Sequence, residues 1–445
     1  MKTHVMVFTR YPVAGTTKTR LIPAIGPEKA AKLQQNLTSH TLEAVRKFAH
    51  DTQAIPEVHF SDGDKDLMRR MFGDGITYLP QTGGSLGERL TSAFEAAFQA
   101  GADRVIVIGS DCPRLDSATL AKADALLEKA DMVIGPAEDG GYYLLGLKAP
   151  RPELFQAIPW GGADVLSATL QAAKQLQLTT QQLPALPDVD YPEDLIQCRA
   201  WPELVANVLP EIVPGRLSVI IPALNESERI ASTIRTIRDR CVDPHNVEII
   251  VSDGGSNDDT CEKARQEFAL VVNSRAGRGV QMNTGAVNAS GDTLLFLHAD
   301  AQLPSRFDEV IRQSIDDTRI AGAFRLKIDG DGWGLKMISH MANLRSRVFQ
   351  RPYGDQGLFL KAKTFYELGG FRNWPLMEDF ELVQRLRKKG KIDLSRLPMT
   401  VSARRWQRRG IVQTTCLNQL IILAWRLGVS PERLAAWYRR QPATN

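Results

Sequence analysis

The sequence predicts an α/β protein built as two tandem domains with mostly parallel sheets. Three observations carry this expectation: the chain length, an end-to-end alternation of strand-like and helix-like segments, and one strand-end design that occurs twice. At 445 residues the chain exceeds what a single hydrophobic core usually serves, so two domains are expected.

Strand-like apolar runs fall at residues 5–8, 104–108 and 132–134 in the first half, and at 217–221, 247–251, 293–297 and 322–326 in the second. Between them, stretches 28–50, 88–100 and 228–240 carry apolar residues at helical spacing. Alternation of this kind is the pattern of βαβ units around a largely parallel sheet. Pro210 and Pro214-Gly215 interrupt it before a fresh apolar run. The expected boundaries are a first domain over 1–205, a linker over 206–216 and a second domain over 217–445.

The repeated design lies at the strand ends. Val105-Ile106-Val107-Ile108-Gly109-Ser110-Asp111 runs a strand into an acid, with Pro113 close behind, and Leu294-Leu295-Phe296-Leu297-His298-Ala299-Asp300 does the same before Pro304. A carboxylate just past the carboxyl end of a strand stands where open α/β sheets bind ligands. Two such ends at corresponding places predict two related nucleotide-binding domains.

Composition narrows the class. A hydrophobic fraction of 43% and a charged fraction of 24% are those of ordinary soluble globular protein. A net charge of +4 gives no bulk electrostatic case for nucleic-acid binding. Cys112, Cys198, Cys241, Cys261 and Cys416 are scattered and odd in number, which favours reduced thiols in a cytosol over a disulfide framework. His4-Val5-Met6-Val7-Phe8 reads as a strand with no basic-then-apolar leader before it. The apolar stretch at 420–425 is bounded by Gln419 and Arg426, far short of the ~20 residues of a membrane span. A cytoplasmic protein without a transmembrane segment is expected, with peripheral contact to a membrane left open.

The second half carries an ordered set of motifs. Ser218-Val219-Ile220-Ile221-Pro222-Ala223-Leu224-Asn225-Glu226 is a buried strand that stops at a proline and opens into a polar turn. Glu248-Ile249-Ile250-Val251-Ser252-Asp253-Gly254-Gly255-Ser256 follows at βαβ spacing. Gly277-Arg278-Gly279-Val280-Gln281-Met282-Asn283 lacks the last glycine of a dinucleotide fingerprint and precedes the relevant strand. Tyr353-Gly354-Asp355-Gln356-Gly357 and Pro375-Leu376-Met377-Glu378-Asp379-Phe380 come next. From 385 to 409, ten Lys or Arg face Asp393 alone; 385–391 reads as a solvated helix face, and Arg404-Arg405-Trp406 stands apart from it.

In this order the motifs, with Asp300, resemble family-2 glycosyltransferases over roughly 217–438. The resemblance implies a GT-A fold in which Pro222, Asn225 and Glu226 border the nucleotide and Asp253 accepts a hydrogen bond from its base. Arg278 would approach the nucleotide or its phosphates, and Arg405 and Trp406 would close over the departing diphosphate. Asp300 would hold Mg²⁺ or Mn²⁺, a hard cation suited to carboxylate oxygen and able to stabilise a diphosphate leaving group. The family's usual Asp-x-Asp is altered here, because His298 takes the first position; packing or donor contact is expected of it. Asp379 would be the general base of an inverting displacement, with Glu378 as the neighbouring rival. The 411–427 segment is expected to pack as a helix, the alternative being an anionic membrane surface reached with Arg408 and Arg409.

In the first half, Tyr11-Pro12-Val13-Ala14-Gly15-Thr16-Thr17-Lys18-Thr19-Arg20 is a basic small-residue loop after the first strand. It is not a Walker A loop, since Thr17 replaces the glycine before Lys-Thr, yet it suits phosphate binding at a first βα turn. Gln81-Thr82-Gly83-Gly84-Ser85-Leu86-Gly87-Glu88-Arg89 reads as a second, flexible loop. Glu138-Asp139-Gly140-Gly141-Tyr142-Tyr143 reads as a pocket wall or a plain hairpin turn. With Asp111 and Asp188-Val189-Asp190-Tyr191-Pro192-Glu193-Asp194, these resemble the sugar- and phospholactate-nucleotidyltransferases, nearest the selenodomain-associated transferases, over about 1–201. The resemblance implies phosphate contacts from Lys18 and Arg20 and metal ligation by Asp111 and Asp190. Asp188 and Asp194 are assigned turn and helix-cap duty.

The whole chain is therefore expected to be two tandem GT-A/Rossmann-like nucleotide-binding domains. The second would transfer a glycosyl group from a metal-bound nucleotide-sugar to a small-molecule or lipid acceptor. The first would be a nucleotidyltransferase or second transferase. The alternatives are a non-catalytic N-terminal binding module, or a nucleotide-binding scaffold without catalysis.

Overall fold

The computed structural model describes residues 2–316, 318–330, 332–403 and 410–440. The chain divides into two compact units, Met1–Val208 and Leu209–Asn445.

In the first unit the strands are β1 (Thr3–Arg10), β2 (Ile55–Ser61), β3 (Thr77–Pro80), β4 (Arg104–Gly109), β5 (Met132–Pro136), β6 (Tyr142–Leu147) and β7 (Thr180–Gln182). Their order in the sheet is β3-β2-β1-β4-β6-β5-β7. All neighbours run parallel except β6, which is antiparallel to both β4 and β5. In the second unit the strands are β8 (Val213–Ala223), β9 (Val247–Asp253), β10 (Leu270–Asn273), β11 (Gly291–Phe296), β12 (Ala301–Gln302), β13 (Arg319–Ile328), β14 (Leu358–Lys361) and β15 (Lys391–Val401). Their order is β10-β9-β8-β11-β14-β13-β15-β12. With the short β12 set aside, this is the first sheet again, position for position. The one reversed strand, β14, again lies between the fourth and fifth strands in sequence. Both units are thus mixed, mostly parallel α/β sheets, and the likeness of the halves extends from a strand-end acid to the entire topology.

Central strands covered on both faces need apolar side chains at nearly every position. In β1, Val5 and Val7 pack with Leu42, Val45 and Phe48 of the Pro27–Thr52 helix. Met6 points the other way, with Val105 and Val107, onto Leu90 and Phe94 of the Leu86–Gln99 helix. In β8, Val219 and Ile221 meet Ile230, Ile234 and Ile237. The opposite face receives the Arg278–Val287 helix, which approaches closely because Gly285 has no side chain: a Cβ there would lie 2.5 Å from Ile220 Cγ2.

The structure departs from the sequence reading in three places. β8 begins at Val213, so part of the stretch read as linker is strand. The Val213 N–H donates to the Ser290 carbonyl at 2.7 Å and the Gly215 N–H to the Asp292 carboxylate at 3.0 Å. Pro214 is tolerated there, next to the start of its strand. The cationic run from 385 is not one solvated helix face, because the Glu378–Lys389 helix ends before Gly390 and β15 starts at Lys391. Arg385 is committed inward, donating to the carbonyls of Leu368 at 2.6 Å and Gly370 at 2.7 Å and to the Glu381 carboxylate. A long helix, Trp333–Phe349, occupies a stretch for which the sequence reading had no element. Among the described residues no helix is long and apolar enough to cross a membrane. Cys112, Cys198, Cys241 and Cys261 are free thiols.

The amino ends of three central strands are tied by one carboxylate. Glu248 at the start of β9 accepts from the Ser290 N–H at 2.6 Å, the Ser290 hydroxyl at 2.9 Å and the Gly291 N–H at 3.0 Å. It also accepts from the fully buried Ser218 hydroxyl of β8. Glu248→Leu leaves these donors without an acceptor, at about 1–3 kcal/mol for each one that stays dry. A clear drop in melting temperature is expected, with Glu248→Gln intermediate; thermal unfolding at neutral pH measures both, and an unchanged midpoint for the leucine variant contradicts the assignment.

Candidate active sites

In an open sheet, ligands bind where neighbouring parallel strands send their chains in opposite directions. In the first unit that place is the carboxyl end of β1 and β4. The loop leaving β1 is held by Thr17, whose buried hydroxyl accepts the Val13 N–H at 3.0 Å. Lys18 follows in a left-handed conformation, φ 48°. Its ammonium donates to the Val189 carbonyl at 2.6 Å and pairs with Asp111 at 3.0 Å and Asp190 at 3.5 Å. Burial alone would lower the lysine pKa, but the charges of Asp111 and Asp190 outweigh it and the net shift is upward. Arg20 binds the other oxygen of Asp190 at 2.7 Å and lies 5.1 Å from the Tyr191 ring centroid. Lys18, Arg20, Asp111 and Asp190 are thereby brought together, lining a cavity of about 520 Å³.

Asp194 takes the turn role expected of it, accepting the N–H groups of Asp190 at 3.1 Å and Tyr191 at 2.7 Å. Burial, then the charges of Asp139 and Asp190, push the Asp188 carboxyl up to about 7. The loop 81–89 runs into the Leu86–Gln99 helix and is hydrogen-bonded along its length. Ser85 and Glu88 form a reciprocal capping box, the Gly84 N–H also donates to Glu88 at 2.7 Å, and Arg89 donates to the Gly83 carbonyl at 3.2 Å. The 138–141 segment is both things foreseen, a turn joining antiparallel β5 and β6 and a wall of a second cavity of about 320 Å³ with Tyr142, Tyr143 and Trp160. Gly140 is required there, since φ is +97° and a Cβ would fall 2.1 Å from the Ala163 carbonyl oxygen.

The second unit repeats the arrangement at β8 and β11. Asn225, left-handed at φ 54°, donates its N–H to the Ser256 hydroxyl at 2.8 Å and accepts the Asn257 N–H at 2.9 Å. The Glu226 N–H donates to Thr260 at 2.8 Å. Pro222, opposite Ser252 in the β8–β9 ladder, precedes this turn. Asp253 is buried and accepts the N–H groups of Gly255 and Ser256, each at 2.9 Å, so its carboxylate builds the turn at the end of β9. Asp300 stands in the turn after β11, where the Ala301 N–H closes onto the His298 carbonyl at 3.1 Å and Thr233 anchors the Ala299 carbonyl at 2.6 Å. It lines a cavity of about 260 Å³ with Arg229, Gln302 and Asp329. Burial, followed by the negative charge of Asp300, raises the Glu226 carboxyl.

Two motifs far apart in sequence meet at Asp379. One of its oxygens accepts the Gly354 N–H at 2.6 Å and the other the Phe380 N–H at 2.7 Å. Glu378, next to it, is buried beneath Gly279 and pairs with Arg278 at 3.5 Å. Burial and the charge of Asp379 push the Glu378 carboxyl up, with Arg278 opposing them. Arg405 and Trp406, with Arg404, Arg408 and Arg409, lie outside the described residues.

Sequence reasoning missed three amides. Gln34 is buried and its Nε2 donates to the Ser110 hydroxyl at 3.0 Å, beside Thr9 and Thr38. Gln81 bridges the carbonyls of Thr9 at 3.2 Å and His59 at 2.9 Å, at the ends of β1 and β2. Gln281 does the same for Ala223 at 2.7 Å and Ser252 at 3.0 Å, at the ends of β8 and β9. A glutamine on the inner face of a helix, as Gln34 and Gln281 are, was the available signal.

Among the described residues no three or more His, Cys, Asp or Glu side chains gather to hold a metal unaided. The acids come in pairs, Asp111 with Asp190 and Glu226 with Asp300. Such pairs suit Mg²⁺-type ions, which are commonly held by one or two carboxylates together with substrate phosphates.

Residues 44–162 match the family described as "Uncharacterized protein conserved in bacteria (DUF2064)", and residues 218–373 match "Glycosyl transferase family 2". The chain carries one domain of each, in tandem. Phosphoenolpyruvate guanylyltransferase of Chloroflexus aggregans is 28% identical over 167 residues, which are 37% of this chain and 81% of that protein. The undecaprenyl-phosphate 4-deoxy-4-formamido-L-arabinose transferase of Salmonella choleraesuis is 28% identical over 158 residues, 33% of this chain and 48% of that protein. The chain thus spans about half the length of that arabinose transferase. Among solved structures, the mannosyltransferase PcManGT from Pyrobaculum calidifontis, in complex with GDP-Man and Mn²⁺, is 19% identical with a TM-score of 0.38, covering 54% of this chain and 74% of its own.

The raised Glu378 carboxyl has a thermodynamic signature. A carboxyl whose folded pKa lies above its unfolded value stabilises the fold at low pH and loses that contribution as pH rises through the folded value. Glu378→Gln is therefore expected to melt higher than the parent at pH 8. The gain should shrink as pH falls through about 7 and vanish near the ordinary glutamate value of 4.5. Melting curves across that range test it; a pH-independent difference contradicts the buried, ionisable Glu378.

Proposed function

We propose that the second unit transfers a glycosyl group from a nucleotide-sugar to an acceptor hydroxyl with inversion at the anomeric carbon. The observation that carries this reading is Asp300, which lines a cavity just past the end of β11 within a domain of family 2 sequence. Pro222, Asn225 and Glu226 border the nucleotide, on a turn kept rigid by Asp253. Arg278, half-exposed on its helix, meets the phosphates. Asp300, with Glu226 beside it, holds a divalent cation, Mg²⁺ or Mn²⁺; the PcManGT complex contains Mn²⁺ with its sugar nucleotide. When bound, that ion neutralises charge on the diphosphate leaving group.

On the acceptor side Asp379 takes the hydroxyl proton. Its two backbone donors, Gly354 and Phe380, fix the carboxylate orientation. Glu378 lies too deep to reach an acceptor and positions Asp379 instead. Arg405 and Trp406 complete the reading as contacts to the diphosphate. The acceptor is a small molecule or a lipid; the arabinose transferases among the relatives are named for undecaprenyl phosphate. For the first unit we propose nucleotidyl transfer. Lys18 and Arg20 serve the phosphates, and Asp111 and Asp190, both within ion-pair distance of Lys18, serve a divalent cation. Both substrates being cytoplasmic nucleotides, the reading implies a cytoplasmic enzyme.

Asp379→Asn is expected to bind donor as the parent does and to lose ~10²–10⁴-fold in turnover, because the amide keeps the shape but accepts no proton. Asp300→Ala is expected to abolish the Mn²⁺ dependence of donor affinity. Calorimetric titration of sugar nucleotides with Mn²⁺ and with chelator, beside single-turnover rates, checks both; near-normal turnover of Asp379→Asn or a retained anomeric configuration overturns the reading. In the full chain, Lys18→Met is expected to weaken nucleoside triphosphate binding to the first unit while leaving sugar-nucleotide affinity at the second unchanged. Equal triphosphate affinity in parent and variant removes Lys18 from the phosphate site.

A further inference from the structure

We propose that the Trp333–Phe349 helix docks the second unit onto an anionic lipid bilayer. The helix packs one face inward through Leu335, Ala342 and Ser346. Its outward face is also apolar: Trp333, Met337, Met341, Leu344 and Val348 are 76%, 41%, 56%, 54% and 60% exposed, and Phe349 is 57% exposed at its end. At 3.6 residues per turn the first five share one stripe, an arc of roughly 80°. A run of five large exposed apolar side chains over four turns is not the scattered exposure of an ordinary surface.

Charge decides the occupant. The helix contains no Asp or Glu, and exposed Lys336, His340 and Arg347 line one flank of the stripe. Two residues past its end, Arg351 lies in the field of Arg387 and Arg426, and burial together with those two charges lowers its pKa. An apolar stripe edged by cations that form no ion pair among the described residues is the chemistry of a helix lying in the interface of a bilayer carrying anionic headgroups. A second copy of the same stripe would bring like charges together along its edges, which disfavours a homodimer through this face.

The helix also carries the acceptor-side loop. The Arg345 guanidinium lies 3.4 Å from the Tyr353 ring centroid and donates to the Gln356 side-chain oxygen at 3.3 Å, and the Gly354 N–H is bonded to Asp379. Docking therefore holds the acceptor side of the second site close to the lipid surface, a position suited to an amphiphilic acceptor. This last step rests on the proposed role of Asp379; the docking itself does not.

The test is co-sedimentation of the full chain with vesicles of phosphatidylcholine alone and of phosphatidylcholine mixed with phosphatidylglycerol, at low and high salt. The parent is expected to bind the anionic vesicles, less tightly as salt rises, and to bind neutral vesicles weakly. Met341→Glu with Leu344→Glu, and separately Lys336→Glu with Arg347→Glu, are each expected to lower anionic-vesicle binding at least about tenfold. Melting temperatures should be unchanged, since all four side chains are exposed; Leu344→Gln gives a milder variant should the double acid disturb folding. Absence of parent binding to anionic vesicles, or equal binding by parent and the Met341/Leu344 variants, overturns the proposal. So does light scattering that finds a dimer split by Met341→Glu with Leu344→Glu, without vesicle binding. Vesicle binding involves no catalysis, so loss of the glycosyl-transfer reading would leave this result standing, and the reverse.

Discussion

The polarity of parallel strands is the constraint on which both sites depend. Parallel neighbours deliver their carboxyl ends to one edge of the sheet, and where the chain leaves β1 and β4, or β8 and β11, in opposite directions, a crevice is left open. Polar backbone beyond the last ladder bond must then find partners or stay wet. Both units meet this need with the same device, a glutamine amide from the segment after the third strand. Gln81 spans the carbonyls ending β1 and β2, and Gln281 those ending β8 and β9. With the strand ends pinned, the loops that carry Lys18, Asp111, Asn225, Glu226 and Asp300 leave from fixed points.

On this common frame the acids of the two crevices are partnered differently. In the first, Lys18 and Arg20 already neutralise Asp111 and Asp190, and the lysine tolerates burial because two carboxylates and a carbonyl surround it. Only Lys18 among these charges is buried, so the loss of Asp111 or Asp190 would weaken the compensation that its burial requires. In the second, Arg229 only partly offsets the burial and Asp300 charge that raise the Glu226 carboxyl. A cation arriving there meets an acid pair without a lysine bridge between its members. An anion arriving at the first site meets cations that must first let go of their acids.

The sequence made the central strands legible because burial on both faces demands apolar runs such as Met6-Val7 and Val105-Ile106-Val107-Ile108. It hid the edges. β7 is only Thr180-Gln181-Gln182, β3 is mostly exposed, and β15 begins directly after a cationic helix, so nothing in composition marks the change. The Trp333–Phe349 helix was obscured because it is apolar on two opposite faces, which flattens the periodicity that announces a helix. The acids and cations of each site stood out as strand-end and loop residues, whereas their pairing did not. Lys18 and Asp190 are separated by 172 positions, and Gly354 and Asp379 by 25, distances that only the fold closes. The three structural glutamines carry no charge and sit at positions where an apolar residue would fit the pattern equally well.

Glu378 and Asp379 show how adjacent acids acquire different tasks from their surroundings. A general base needs both reach and a suitable proton affinity. Glu378 has the raised affinity, produced by burial and by the charge beside it, but it is buried against Gly279. Asp379 is half-exposed, and two backbone N–H groups set its orientation. In the glycosyl-transfer reading, a protonated Glu378 relieves the repulsion it would otherwise exert on Asp379, while an ionised Glu378 is drawn to Arg278. Phosphates that recruit Arg278 would weaken that attraction and favour the protonated form. In that reading donor binding and the charge next to the proposed acceptor base would be linked through the Arg278 guanidinium, which the Arg278–Val287 helix holds 3.5 Å from Glu378 on the Glu378–Lys389 helix.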